Sequence, residues 1–530
     1  MRIANQTNGR KIVNGAELLV KTAVASGVEV CFANPGTTEI PIVMALDSTP
    51  GIKVYLGLFE GVCTGAADGY GRMLDKPAMA LLHLGPGLAN GIANLHNARR
   101  AGSPVLNVVG EHATWHRDAD PPLAMDIGGL ARTVSGWWRT SASAEDIARD
   151  VSEAAAAARL GQVATLIVPN DYQLAQCEDR QAPACAVSFD PIDPGSIEAA
   201  ASRLRAFSKV ALILGPRALR KPGLDAASRI KKATGCDLLA QNLPGYMDRG
   251  MGLPLVERIP YFPEQATALL SRYEGVLLAG SPEPVTFFGY PGVKSRILSD
   301  EQERITLCAD RQDVIEALEC LANALGAPVH IREAPDILAK KLERAPLPDG
   351  NLTVEKACLT LAALQPENAI VVDEAITSGR LYFTLTQGLP PHTVITGSGG
   401  SIGQGIPCAT GAAIACPDRP VINLQADGSA MYTVQALWTQ AREGLNVTTL
   451  ICSNRSYRIL QMEMSRAGIT SCGPKARALT DLTRPAIDWV QIAQGLGVPG
   501  VTVSTAGDLA RELSKALADP GPHLIEMLLP

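Results

Sequence analysis

A chain of 530 residues, 46% hydrophobic and 19% charged, is long enough to bury several cores and predicts about three domains at the usual ~100 to 200 residues each. A formal net charge of −6 without a Lys/Arg block gives no electrostatic footprint for nucleic acid or an anionic membrane surface, which leaves small molecules as the expected partners. The polar start MRIANQTNGRKIVNG, the lack of a long apolar run and twelve Cys without a CxxC pair predict no secretory signal, no membrane span and reduced, mostly buried thiols in a cytoplasmic protein.

Short β-rich runs alternate with Ala-rich helical patterns along the chain. VEVCFANPG, AMALLHLGPG, VLNVVG and VATLIVP predict four strands, KVALILGP, GVLLAG and RITLCA three more, and NAIVVDE, PVINLQADG, VTTLICSN and HLIEMLLP the last four. Strands separated by helices predict an α/β chain whose mainly parallel sheets are flanked by helices. The Gly, Pro, Asn and Asp that close these runs mark carboxyl-end loops, where such sheets carry ligands. Two stretches rich in Pro and polar residues, 177 to 196 and 342 to 351, read as linkers. Three domains are therefore expected, at 1–185, 190–335 and 350–530, and the outer two could share one topology.

The stretch PVINLQADGSAMYTVQALWTQARE, residues 420 to 443, sets Asp427 and Gly428 at a strand end and predicts a helix from near Ser429. VTTLICSN then brings Asn454 to a neighbouring tip. A carboxylate beside a helix N-terminus can present a divalent cation to a phosphate, because the helix amides favour the anion. An Asp carboxylate, an Asn amide oxygen, a backbone carbonyl two residues on and waters suit octahedral Mg²⁺. The same residues also read as an N-cap and a turn. Their spacing resembles the diphosphate and metal motif of thiamine-diphosphate (ThDP) enzymes, with Ala426 and Ser453 preceding the ligand positions where that family has Gly and Asn. The resemblance implies Mg²⁺ held by Asp427, the Asn454 side chain and the Ser456 carbonyl, with Gly428 and Ser429 at the diphosphate.

Other parts of the chain carry the same resemblance. LFEGVCTGAADGYGR (58 to 72) is similar to the family's glutamate helix and implies Glu60 as the catalytic partner of the aminopyrimidine N1′; alone, it is also a first-turn Glu favoured by the helix dipole. ITGSGGSIGQGIP (395 to 407) is a Gly-rich loop whose backbone can approach a planar ligand. It implies the Gly400 carbonyl on the aminopyrimidine amine and Ile402 as the wedge that bends the cofactor. VVDEAITSGR (371 to 380) implies Thr377 and Ser378 near the diphosphate, although loop polarity explains these two nearly as well. The resemblance spans the chain and is to the group containing acetolactate synthase, pyruvate oxidase and benzoylformate decarboxylase. There Glu60 and the diphosphate site would face each other across two subunits, which implies a homodimer, commonly a dimer of dimers.

The first domain is most similar to benzoylformate decarboxylase. ANPGTTEIP (33 to 41) puts Thr37 on its substrate-binding serine, and ALLHLGPGLANG (80 to 91) puts His83 on an active-site histidine. Such a histidine can shuttle protons near neutral pH; the alternative is a structural His at a strand end. AGSPEPVTFFGYPG (279 to 292) offers Phe287 and Phe288 where that enzyme has a second histidine. In RSYRILQMEM (455 to 464), Ile459 and Leu460 fall on pocket positions and Glu463 stands where a phenylalanine is expected, so a more polar substrate is anticipated. His96, His112, His116, His330, His392 and His523 show no metal spacing, and His112 and His116 read as loop residues at the active-site mouth. No flavin-binding signature is legible, which weighs against FAD. The expected activity is ThDP- and Mg²⁺-dependent decarboxylation of a 2-oxo acid through an enamine, releasing an aldehyde. The GPG at 85 to 87 resembles the synthase loop and keeps open carboligation to a second carbonyl compound. A non-catalytic cofactor-binding subunit would be expected to lack Glu60 or Asp427, and both are present.

Overall fold

A computed structural model describes residues 12–309, 311–329, 331, 336–469 and 471–530; His330 lies outside them. All eleven predicted runs are strands, and the fold is the α/β arrangement expected from their alternation. The first sheet orders its strands Lys53–Leu56, Val30–Asn34, Ala78–Leu82, Val105–Glu111, Val163–Pro169 and Trp137–Thr140. The second runs Glu257–Arg258, Asp237–Ala240, Val210–Leu214, Gly275–Ala279 and Glu303–Thr306. The third runs Met247–Arg249, His392–Thr396, Ile370–Glu374, Val421–Ala426, Val447–Ser453, His523–Leu528 and Gly500–Val503. Neighbouring strands in these sheets are parallel except at Met247–Arg249, which pairs antiparallel with His392–Thr396. This short strand lies in the middle stretch of the sequence but completes the third sheet.

The six parallel strands of the third sheet repeat the connectivity of the first. In each, the second strand in sequence lies outside the first, the third returns to the first strand's other side, and the last two are exchanged. That return creates a crevice at the carboxyl ends of the first and third strands, where an α/β sheet binds ligands. In the first sheet the crevice lies between Asn34 and Leu82; in the third it lies between Glu374 and Ala426.

Local sequence sets these elements. Val447–Ser453 is buried throughout, as a central strand covered on both faces must be. Asn14, Asp193 and Thr353 cap helices Gly15–Ala25, Pro194–Ala206 and Val354–Leu364 by accepting first-turn N–H bonds. The helix Glu60–Leu74 crosses Gly405–Ala415 at glycines: a methyl at Gly411 would lie 1.9 Å from the Ala66 carbonyl oxygen. Buried Arg72 crosslinks this junction, pairing with Asp68 at 2.7 Å and donating to the Thr396 carbonyl at 2.7 Å. One local expectation is corrected. The helix anticipated from near Ser429 is two pieces, Asp427–Ala430 and Ala436–Glu443, so only one helical turn follows Asp427.

Candidate active site

At the first sheet's crevice, the turn after Val30–Asn34 folds back on the end of Ala78–Leu82. Glu39, fully buried, accepts from the Gly36 N–H at 2.9 Å and from Thr38 Oγ1 at 2.6 Å. Its Oε2 lies 2.7 Å from His83 Nδ1. An ionised carboxylate only accepts, so this contact places a proton on Nδ1 and leaves Nε2 for other partners. Gly36 makes room for the imidazole: a methyl there would meet Nδ1 at 2.2 Å. Leu84, immediately after His83, is buried and left-handed at φ 52°, the kind of local strain that tertiary packing sustains at functional sites.

Glu60 begins its helix and accepts from Asn90 Nδ2 at 3.0 Å. A methyl at Gly87 would lie 3.2 Å from Glu60 Oε1 and 3.4 Å from His83 Cβ, so the two side chains meet around one glycine. Thr37 is exposed; adjacent Thr38 makes the contacts, including one at 3.3 Å to His83 Nδ1. Sequence reading missed Glu39 and Thr38. The TTE segment signalled only a first-turn acid, since its link to His83 spans two strands.

At the third sheet's crevice, parallel pairing of Ala426 with Cys452 brings Asp427 and Asn454 to neighbouring tips. Asp427 accepts from its own Gly428 N–H at 2.8 Å and from the Arg455 N–H at 2.6 Å. Burial pushes its carboxyl upward, against the opposing effect of those amides. Asn454 Oδ1 accepts from the Ser456 N–H at 3.0 Å, while Ser456 Oγ is buried without a hydrogen-bond partner. Arg455 is left-handed at φ 54°. A buried carboxylate, an amide oxygen and an orphaned hydroxyl fit a polar, cationic occupant better than a closed apolar core. Among the described residues, no cluster of three or more His, Cys, Asp or Glu could hold a metal, so a cation here would rely on the amide, backbone carbonyls and water.

Gly428 and Ser429 are buried beside Asp427, with Ser429 Oγ accepting from Gln425 Nε2 at 2.6 Å. Ser378 is buried and Thr377 partly so, on the turn after Ile370–Glu374. Glu374, missed in the sequence, accepts from the N–H groups of Gly403, Gln404 and Gly405 at 2.7, 3.2 and 2.7 Å and from Gln425 at 2.9 Å. It clamps the Gly-rich loop, and burial pushes its carboxyl upward. His96 adds a contact at 3.1 Å to the Gly399 carbonyl.

A cavity of about 280 Å³ opens beside this loop, lined by Phe287, Phe288, Gly400, Ile402, Ile459, Leu460 and Glu463. Phe287 presses on Gly400: a methyl there would lie 2.5 Å from its ring Cζ. Glu463 accepts from Tyr290 OH at 3.4 Å and faces Arg466 at 3.7 Å. Tyr261 lies tilted against Phe287 with ring centroids 5.3 Å apart. Burial, then Tyr290 and Glu463, push its hydroxyl upward. These seven of its lining residues thus gather in one largely apolar pocket that carries the Glu463 carboxylate. Glu60 and His83 do not line it.

Residues 13–130 match the thiamine pyrophosphate enzyme N-terminal TPP binding domain, and residues 378–527 match the C-terminal TPP binding domain. The chain belongs to the thiamine pyrophosphate enzyme family, whose domains bind thiamine diphosphate. It is 47% identical over 524 residues to a Mycobacterium tuberculosis protein named "Putative acetolactate synthase large subunit IlvX", covering 98% of this chain and 99% of the relative. It is 28% identical over 533 residues to benzoylformate decarboxylase of Pseudomonas aeruginosa, covering 94% and 96%. Among solved structures, a thiamine diphosphate-dependent 4-hydroxybenzoylformate decarboxylase of Rhodococcus jostii matches with a TM-score of 0.84, 23% identity and coverage of 98% and 99%. That last likeness is one of fold.

Proposed function

We propose that this chain is a ThDP- and Mg²⁺-dependent 2-oxo acid decarboxylase that releases an aldehyde, with three domains at 1–185, 190–335 and 350–530. The contact between His83 and buried Glu39 carries the reading. Asp427, Asn454 and the Ser456 carbonyl would hold Mg²⁺, with Gly428, Ser429, Thr377 and Ser378 around the diphosphate. The Gly400 carbonyl would meet the aminopyrimidine and Ile402 would support the bound cofactor. Bound ThDP supplies a carbon nucleophile and an electron sink. Glu60 would hold a proton facing the aminopyrimidine N1′, and Asn90 keeps its carboxylate in place. His83 moves a proton at Nε2 while Glu39 fixes its tautomer. Phe287, Phe288, Ile459 and Leu460 give the pocket apolar walls; Glu463 favours a substrate bearing a hydrogen-bond donor.

The division between the Glu60–His83 cluster and the pocket around Gly400 supports a site completed by a second copy, hence at least a homodimer and commonly a dimer of dimers. The test of function is an NMR time course with ThDP, Mg²⁺ and aliphatic, aromatic and acidic 2-oxo acids, with and without added aldehyde. Aldehyde as the main product supports decarboxylation with His83 as proton donor. The name of the 47%-identical relative favours a second reading, acetolactate synthase-like carboligation; acyloin as the main product would select it and leave His83 a positioning role.

A further inference from the structure

Between the second and third sheets lies another cavity, about 550 Å³ in volume. Two arginines form its inner wall: Arg249 on the strand Met247–Arg249, and Arg258 on Glu257–Arg258. Both guanidinium groups lie over Phe383, at 4.2 and 3.3 Å from its ring centroid. Arg249 is only 7% exposed, yet its hydrogen bonds go to neutral oxygens, Thr386 Oγ1 at 3.1 Å and the Phe383 carbonyl at 2.6 Å. Among the described residues it has no ion pair. Burial, with the like charge of Arg258, brings its guanidinium down to about 10 despite the opposing effect of Tyr382.

The acidic groups around the cavity are otherwise placed. Asp237 pairs with Lys231 at 3.1 Å and accepts from Tyr273 OH at 3.1 Å. Glu257 and Asp336 are exposed, as is Arg272. The interior is therefore faced by two cations over one aromatic ring; Arg258 feels a carboxylate, Asp373, from the adjoining cleft, whereas Arg249 has only the ring and neutral oxygens. A ring face replaces part of a cation's hydration but supplies no counter-charge. Planar guanidinium edges match carboxylate and phosphate oxygens.

We infer that this cavity binds a small oxyanion, a carboxylate or phosphate, between Arg249 and Arg258, and that its occupancy weakens cofactor binding in the neighbouring cleft. The link is Arg258, which also lines the cavity containing Gly400 and Ile402. Its positive charge acts on half-buried Asp373 near the end of Ile370–Glu374. An oxyanion drawn to Arg258 reduces the positive field it contributes to that cleft, whose lining residues Ile376 and Gly379 flank Thr377 and Ser378, the residues proposed at the diphosphate. By linkage, each ligand lowers the other's affinity by the same factor. The binding half of this inference is independent of the proposed function; the coupling half rests on it.

The test uses the full chain with saturating ThDP and Mg²⁺. Inorganic phosphate and succinate are titrated in separate arms, with sodium chloride holding ionic strength constant, and read by calorimetry and thermal unfolding. Saturable binding of one ion and not the other is expected and identifies the ligand's chemistry. It should weaken at least ~10-fold in Arg249→Met and Gln387→Trp, the latter filling the cavity's mouth without altering either guanidinium. A parallel ThDP titration should show severalfold weaker cofactor binding when the oxyanion is present. No saturable effect in either arm, or an equal effect in wild type and both variants, would overturn the site and assign any bound anion to the cofactor's diphosphate pocket. Repeating the oxyanion titration without ThDP separates the two readings: oxyanion binding without ThDP binding overturns the cofactor coupling and leaves the anion site intact.

Discussion

His83 Nδ1 lies 2.7 Å from Glu39 Oε2, and Glu39 is fully buried beneath it. The carboxylate's other contacts come from its own turn, so the histidine is held by a preformed acceptor. Glu39→Gln is expected to lower kcat roughly 10²-fold, with a smaller change in KM, because the amide no longer enforces the Nδ1–H tautomer. His83→Ala should lose at least as much. Combining the two should cost little more than His83→Ala alone, which a double-mutant cycle checks.

Glu60→Gln should abolish most turnover, by roughly 10² or more, while ThDP binding by calorimetry changes little. Asp427→Ala should do the reverse, weakening Mg²⁺-dependent ThDP binding before any turnover can be read. Chelation of Mg²⁺ in the wild-type protein should reproduce the Asp427→Ala binding defect.

Glu374→Ala removes the acceptor of three backbone N–H groups in the Gly-rich loop. A loss of about 1–3 kcal/mol in stability is expected from unsatisfied buried donors. Urea unfolding monitored by two probes measures it, and unchanged stability would show that the loop does not need this clamp.

His392 is buried, and burial brings its imidazole down to about 4 from 6.5. It is therefore neutral in the fold and takes up a proton on unfolding as pH falls. Its contribution to stability is present above pH 6.5 and is lost as pH falls toward 4, with ~2 kcal/mol lost by pH 5. His392→Gln should flatten the fall in urea stability between pH 7 and pH 5. Equal pH slopes in the two proteins would remove His392 as the cause.

Glu463→Phe replaces the carboxylate that faces Tyr290 and Arg466 with an apolar ring. The ratio of kcat/KM for aromatic over hydroxylated aliphatic 2-oxo acids is expected to rise by about 10-fold or more. A ratio unchanged across the substrate panel would place specificity elsewhere in the pocket.

The sequence by itself determined the α/β class, because strand runs alternating with helical segments have few other ways to bury both faces of a sheet. It also marked the adjacent tips bearing Asp427 and Asn454, since each ligand position follows its own strand. Edge strands such as Lys53–Leu56 were not legible there: the sequence KVYL is short and partly exposed, with weak burial patterning. The second helix after Asp427 looked continuous with the first because their side-chain patterns join across the turn. Only tertiary structure decided that Glu39 serves His83, that Glu374 clamps the Gly-rich loop and that Met247–Arg249 leaves the middle stretch for the third sheet. Each depends on residues far apart in the chain being brought to one crevice or edge by strand order, and a local periodicity carries no information about which distant strand becomes the neighbour.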